Sequence, residues 1–491
     1  MLALRNFKNG ATIRALMERS LSQLKTGSSS VRELSVLVDV ADNDTTQQMF
    51  TVGGKNGFLP RQEPLAELPK QYSALESLLQ RMPMQLNDGT PGLLASGQFG
   101  DAVREELPVY DVDSLTDQRL LSALFRDYTF AASAYLLEPC DILYRSQADY
   151  GLGRRVLPKN IAVPLVKVSN KINSKPFMEY ALSYALYNYK KVSPTQGLNY
   201  DNLALVRAFA GSESEKGFVL NHVTMVSYSP HLVRFAVGTL AAAEANDRAK
   251  FDSQMSGLFE TYESINREME MMWSRSVPED YVKFRTFIMG TKNQTMFPDG
   301  VIYEGVSDEP VTYRGESGAN DSMIPLGDNL LQISELMPEN PLTDVLRDFR
   351  SYRPTNHREF LEFVQAKAMQ VGVKQYAMKD ANSAAIYLSN IDQIRAFRHR
   401  HWNFTKEYII KHTSHPVATG GSPIVTWLPN QLNAVLDLIN EVSDKINRNE
   451  LSESNLLRVE EITKRAHAQK RFLDREVANF STKFKNQDRT E

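Results

Sequence analysis

Residues 251–272 read FDSQMSGLFETYESINREMEMM, and the apolar side chains fall at Phe251, Met255, Leu258, Tyr262, Ile265, Met269 and Met272. Steps of three and four keep these positions on one face of a helix, because 3.6 residues complete a turn, so the stretch presents one continuous stripe to a core. The same spacing recurs at Leu428, Leu432, Val435, Ile439, Val442 and Ile446. Alternation with a period of two, the mark of a half-buried strand, is scarce and short. The pattern predicts an all-α fold, and no fixed-period repeat is visible.

Turn formers interrupt the helical pattern at residues 191–197 (KVSPTQG) and again at 211–217 (GSESEKG). The second break predicts a boundary between a small helical domain, 57–211, and a larger one, 212–446. Residues 292–320 carry Pro298, Gly300, Gly305, Pro310, Gly315 and Gly318 with few helical runs. A segment this long and irregular inside a compact domain points to function. Residues 1–56 read as a flexible extension. Residues 447–491 are dense in charge and read as a solvated helix with a frayed tail.

The chain has 491 residues with 56 basic against 59 acidic, a formal charge of -3. That balance argues against nucleic acid or an anionic membrane as principal partner. Cys140 is the only cysteine, which excludes an intrachain disulfide and a cysteine zinc site. No apolar run approaches the roughly 20 residues of a membrane span. A cytoplasmic location fits. Arg5, Lys8, Arg14, Arg19, Lys25 and Arg32 outnumber Glu18 and Glu33 in the first 34 residues, which resembles a mitochondrial transit peptide but reads first as a basic extension. Oligomeric state is not legible.

His357 lies in YRPTNHREFL, residues 352–361, where Pro354 ends any preceding helix and Asn356 with Glu359 reads as a capping box. The imidazole then stands at the first position of a helix that runs apolar through Phe360, Leu361, Phe363 and Val364. Aimed inward, a neutral imidazole is a ready axial ligand for haem iron, although spacing alone gives a hydrogen-bonded structural histidine as the default. Arg285, among Tyr281, Phe284, Ile288 and Met289, places a guanidinium beside an apolar face and needs an anionic partner. His222 has Phe218, Met225 and Val226 at helical spacing, and Tyr180, Tyr184 and Tyr187 form an aromatic stripe. Both default to core. Residues 315–319 (GESGA) miss the nucleophile-elbow pattern, and His357-Arg358-Glu359 lacks the paired cysteines of a deaminase. His399, His401, His412 and His415 with Glu407 sit among Arg398, Arg400, Lys406 and Lys411, a cationic setting poor for a divalent ion.

The segment around His357 resembles the proximal-ligand segment of the indoleamine 2,3-dioxygenase family. Further blocks match in family order: Gly57-Phe58-Leu59-Pro60, Leu115-Thr116-Asp117, residues 156–164 (VLPKNIAVP), Lys216-Gly217-Phe218, residues 299–305 (DGVIYEG) and Thr419-Gly420-Gly421. The resemblance covers Gly57 to Ile446. It implies a two-domain helical haem protein whose smaller domain covers the distal side, and a cofactor haem b held by His357. It implies O2 as co-substrate and an oxidoreductase that opens the indole 2,3-bond of L-tryptophan to N-formylkynurenine, a kynurenine-pathway step of tryptophan catabolism. The readings that stand beside it are a superfamily enzyme acting on a different indole or aromatic amine, and a non-catalytic haem-binding sensor.

By the same resemblance Arg285 binds the substrate carboxylate, with Tyr281 and Phe218 on the pocket wall and Tyr180 or Tyr184, beside Ser183, supplying a distal aromatic. Thr419 and Gly420 belong to a loop that closes over the amino acid. Asp328 and Ser317 match residues that approach the haem. Two departures stand out. Asp280 replaces an aromatic of the family, and His222 falls where the animal enzymes have a small hydroxyl residue. Tryptophan 2,3-dioxygenases, similar in fold and reaction, carry a distal histidine that hydrogen-bonds the indole nitrogen, which makes His222 a candidate catalytic residue.

Overall fold

In the computed structural model, residues 44–333, 348–412, 417–422 and 424–487 are described, the side chains of 425–427 and 480–487 excepted. The basic segment 1–34 and His415 lie outside them. The described chain is mostly helical. Its strands form only two short pairs, Val156–Leu157 parallel to Ile302–Tyr303 and Tyr189–Lys191 antiparallel to Leu203–Leu205. No described helix is long and apolar enough to cross a membrane.

The stripe that predicts the fold lies on helix Arg248–Glu270, where Phe251, Met255, Leu258, Tyr262, Ile265 and Met269 are buried. Asp247 caps it by accepting from the amide of Lys250, which satisfies one of the orphan donors of a helix start. The helix lies between Ser229–Glu244 and Ala381–Phe404. Met272 falls just past its end, in the short helix Met272–Arg275. The second stripe occupies Ile424–Lys445, which docks on Ala381–Phe404.

In the N-terminal part the organising element is Gln118–Gln147, capped by Asp117 and buried along most of its length. Its Asp127 receives Arg126 and Arg207, and Arg207 extends to Glu76. The four groups satisfy one another where a single buried charge would cost several kcal/mol. Ser212 caps helix Glu213–Val226, so the chain turns where the sequence suggests a boundary. One apolar core runs without interruption on both sides of that turn.

Four expectations change. Helix Thr355–Val371 begins one residue before Asn356, so His357 stands third in it. Asn356 is no cap: its Oδ1 accepts from the amide of Val52 at 2.7 Å. That bond fixes part of the supposed flexible extension, in which Met49, Phe50 and Val52 are all buried. The tyrosine stripe is not a helix throughout, because Tyr180–Tyr184 forms a π-helical turn and Tyr189 is already extended. The C-terminal helix Glu453–Gln487 is docked rather than solvated all round, burying Val459, Ile462, Ala466 and Leu473.

Candidate functional site

His357 is 1% exposed. The ring of Phe58 stands 5.0 Å away and that of Phe50 5.6 Å away, centroid to centroid. Phe58 reaches this position because Gly57, at a φ of +56°, lets the chain pass against Ser229: a Cβ there would come within 2.2 Å of the Ser229 hydroxyl. The same hydroxyl accepts from the amide of Phe58 at 2.9 Å. Burial, assisted by the nearby Arg353, pushes the imidazole pKa down to about 3, so the ring is neutral. Nδ1 lies 3.1 Å from the Ser322 hydroxyl, while Nε2 is buried with no hydrogen-bond partner. An orphaned buried ring nitrogen is costly in a purely structural histidine. With the proton on Nδ1 and donated to Ser322, Nε2 keeps its lone pair for an axial bond. No group of three or more His, Cys, Asp or Glu that could hold a metal ion exists among the described residues. His357 thus offers a buried, free ring nitrogen as a metal donor.

Two adjoining cavities lie nearby and share Gly318, Ala319, Asp321, Phe397, His401 and Leu428. His357 lines neither cavity; it is linked to their shared wall by its hydrogen bond to Ser322, the residue after Asp321. The first cavity is bordered by Phe218, His222, Tyr281, Glu316, Ser317 and Thr419, with Met272, Phe404 and Tyr408 among its apolar walls. His222 and Phe218 are aimed there by helix Glu213–Val226, which crosses Arg275 so closely that a Cβ on Gly217 would meet its carbonyl at 1.8 Å. The ring of Tyr180 meets His222 edge-on at 5.5 Å, and its hydroxyl lies 3.4 Å from Nδ1. Burial, with His401 nearby, pushes His222 down to about 4.

Of the two candidate tyrosines, Tyr180 is the one that contacts a wall residue of this cavity through a polar atom. Tyr184 stacks on Phe130 and Phe209. Ser183 donates to the carbonyl of Glu179 and accepts from its amide, so its hydroxyl is fully used inside the π-helical turn. Ser317 reaches the first cavity and also caps the short turn Gly318–Asn320. Asp328 borders the second cavity and pairs with Arg398 at 2.7 Å. Asp280 accepts from Ser214 at 2.7 Å and pairs with Lys283, away from both cavities.

Arg285 is fully buried but does not line either cavity. One of its terminal nitrogens donates to the Tyr150 hydroxyl at 3.1 Å and the other to the carbonyl of Val417 at 2.7 Å. Nε has no partner, and no carboxylate pairs with this guanidinium among the described residues. Val417 leads into the glycine loop, where Thr419 donates to the carbonyl of Glu316 at 2.6 Å and Arg314 to that of Gly420 at 2.8 Å. Gly420 is required by close approach, since a Cβ would strike the Phe349 ring at 2.3 Å. The loop is thereby held against the cavity wall.

Two groups escaped the sequence reading. Arg350, Arg353 and Arg398 border the second cavity, where Asp321 and Asp328 are the acids among the described lining residues, a setting for anionic groups. Burial pushes Arg353 down to about 10, with Arg350 adding to the effect. Adjacency of Arg353 to Pro354 was the available signal. The other is Glu316, 3% exposed on the wall of the first cavity, whose carboxyl burial pushes up to about 8. Its place between Gly315 and Ser317 gave no sign of depth.

A family model described as indoleamine 2,3-dioxygenase matches residues 46–455. Indoleamine 2,3-dioxygenase 1 of Mus musculus is 26% identical over 351 residues, 71% of this chain and 81% of the relative. An indoleamine 2,3-dioxygenase of Aspergillus candidus is 26% identical over 386 residues, 75% and 89%. A myoglobin of Haliotis diversicolor is 27% identical over 370 residues, 75% and 90%.

Proposed function

The chain belongs to the indoleamine 2,3-dioxygenase family, and from that premise we propose that it is a haem-dependent dioxygenase opening the indole 2,3-bond of L-tryptophan to give N-formylkynurenine. The observation that carries the haem assignment is the partnerless Nε2 of buried His357, together with the hydroxyl of Ser322 at its other nitrogen. In this reading Nε2 of His357 would hold the haem iron, and Arg350, Arg353 and Arg398 would hold its carboxylates. Ferrous haem, when bound, supplies the activation of O2, whose two atoms both enter the product without an added reductant. The protein orients the indole against the aromatic wall of Phe218 and Tyr281, excludes water, and holds the amino-acid end near Thr419 and Arg285. The small-domain and large-domain division near residue 211 and a cytoplasmic location belong to the same proposal.

Reduced, haem-loaded protein in air should convert L-tryptophan to N-formylkynurenine carrying both atoms of isotopically labelled O2. The similarity to a myoglobin favours a second reading, in which the protein binds haem and O2 without turnover. Reversible O2 binding with every indole recovered unchanged would establish that reading in place of the first. Turnover of another indole or aromatic amine but not tryptophan would retain the dioxygenase and change its substrate.

His222 supplies a hydrogen-bond acceptor for the indole N–H in this proposal, provided that Nδ1 carries the proton and donates to Tyr180. With its pKa at about 4, the ring is neutral near pH 7, and protonation removes the acceptor lone pair. Turnover should therefore fall as the pH drops toward 4, with kcat/KM reporting the free protein. His222→Ala should flatten that acid limb, and its deficit should shrink with 1-methyltryptophan, which has no ring proton to donate. His401 borders the same cavity and also titrates at about 4, so His401→Gln is the control. An unchanged profile and equal deficits on both substrates would return His222 to a packing role.

A further inference from the structure

Glu316 has no hydrogen bond or ion pair to its carboxyl among the described residues, although it borders the first cavity and is 3% exposed. The other acid on that wall, Asp321, is engaged, capping a helix through the amides of Met323 and Ile324. Among the described residues no lysine or arginine lines this cavity, and its histidines, His222 and His401, are both neutral near pH 7. The groups that sense the Glu316 charge are Tyr180, Tyr184, Tyr281 and the buried Glu179. None is a cation. The backbone beneath the carboxyl is fixed as well, since a Cβ on Gly315 would lie 2.2 Å from the amide nitrogen of Gly290 and Thr419 donates to the Glu316 carbonyl.

A buried carboxyl on a fixed backbone, in a mostly apolar wall and without a partner, is a poor structural element and a good receptor for a cation brought in by the ligand. We propose that Glu316 recognises the protonated amine of the substrate and makes the site select amine-bearing indoles over indole acids. This rests on the dioxygenase reading and deepens it to a substrate class. Raised to about 8 by burial, the acid is mostly protonated near pH 7 when no cation is present. An arriving ammonium favours the carboxylate, so the acid ionises and its proton leaves to solvent.

The test is calorimetric binding to the full-length haem-loaded protein, with tryptamine and indole-3-propionate as probes, in two buffers of different ionisation enthalpy at pH 7. Wild type should bind tryptamine with net proton release. Glu316→Gln should bind tryptamine roughly 10-fold or more weakly and without that release, while indole-3-propionate binds as well or better. Glu316→Asp should keep the release, and haem content and circular dichroism report whether each variant is folded. Equal changes for the two probes, or proton release that persists in Glu316→Gln, would overturn the inference alone. Failure of wild type to bind either probe would bring down the dioxygenase reading with it.

Discussion

His357→Ala should leave a folded protein that no longer retains haem. In this reading Nε2 of His357, buried and without a hydrogen-bond partner, would be the chain's bond to the iron. Loss of an outer-shell partner costs a metal site on the order of 10–100-fold in affinity, and loss of the ligand itself costs more. Ser322→Ala should fall in that 10–100-fold range, since it removes the acceptor that keeps the proton on Nδ1. The measurements are haem stoichiometry after purification and the Soret band of the ferrous-CO form. Added imidazole should restore the band in His357→Ala by occupying the space the side chain leaves. A five-coordinate histidine spectrum in His357→Ala without imidazole would end the assignment, and normal circular dichroism separates ligand loss from misfolding.

The helical fold was legible because burial follows the period of the chain: every member of the stripe from Phe251 to Met269 faces the core. Where burial does not follow one period, reading failed for identifiable reasons. The apolar line Val459, Ile462, Ala466 and Leu473 was present at helical spacing, but the charges between its members masked it. At Asn356 the capping-box pattern was real in sequence, yet the carboxamide forms a bond to Val52, 304 residues distant. Local patterns cannot foresee a tertiary partner. The same limit hid Glu316, whose neighbours Gly315 and Ser317 look like surface loop while its backbone is clamped by Gly290 and Thr419. His222 and Tyr180, 42 residues apart, come together where Tyr180 opens a π-helical turn. Such turns occur often at functional sites, and no periodicity announces them.

Arg285→Ala should lower kcat/KM for L-tryptophan by about 2–5 kcal/mol, the cost of removing one partner of a desolvated charge pair. Burial makes the expectation large: the side chain is 0% exposed and its recorded partners, Tyr150 and Val417, are neutral acceptors. A guanidinium so placed keeps its charge at the expense of solvation and gains most from an anion. It stands behind the first cavity, however, and its bond to Val417 braces the glycine loop, so a purely structural role would also reduce turnover. Substrate choice separates the two. Tryptamine lacks the carboxylate, and its loss in Arg285→Ala should be much smaller than that of tryptophan, whereas a slack loop would penalise both alike. Arg285→Lys should recover part of the tryptophan deficit through charge but not all of it, because an ammonium cannot span the carboxylate and the Val417 carbonyl with one planar fork. Glu316→Gln should give the opposite selectivity, weakening the amine and sparing the acid. If Arg285→Ala and Glu316→Gln instead shared one selectivity pattern across tryptophan, tryptamine and indole-3-propionate, the two residues would act through the common 314–317 and 417–421 contacts and neither would read a charge on the substrate.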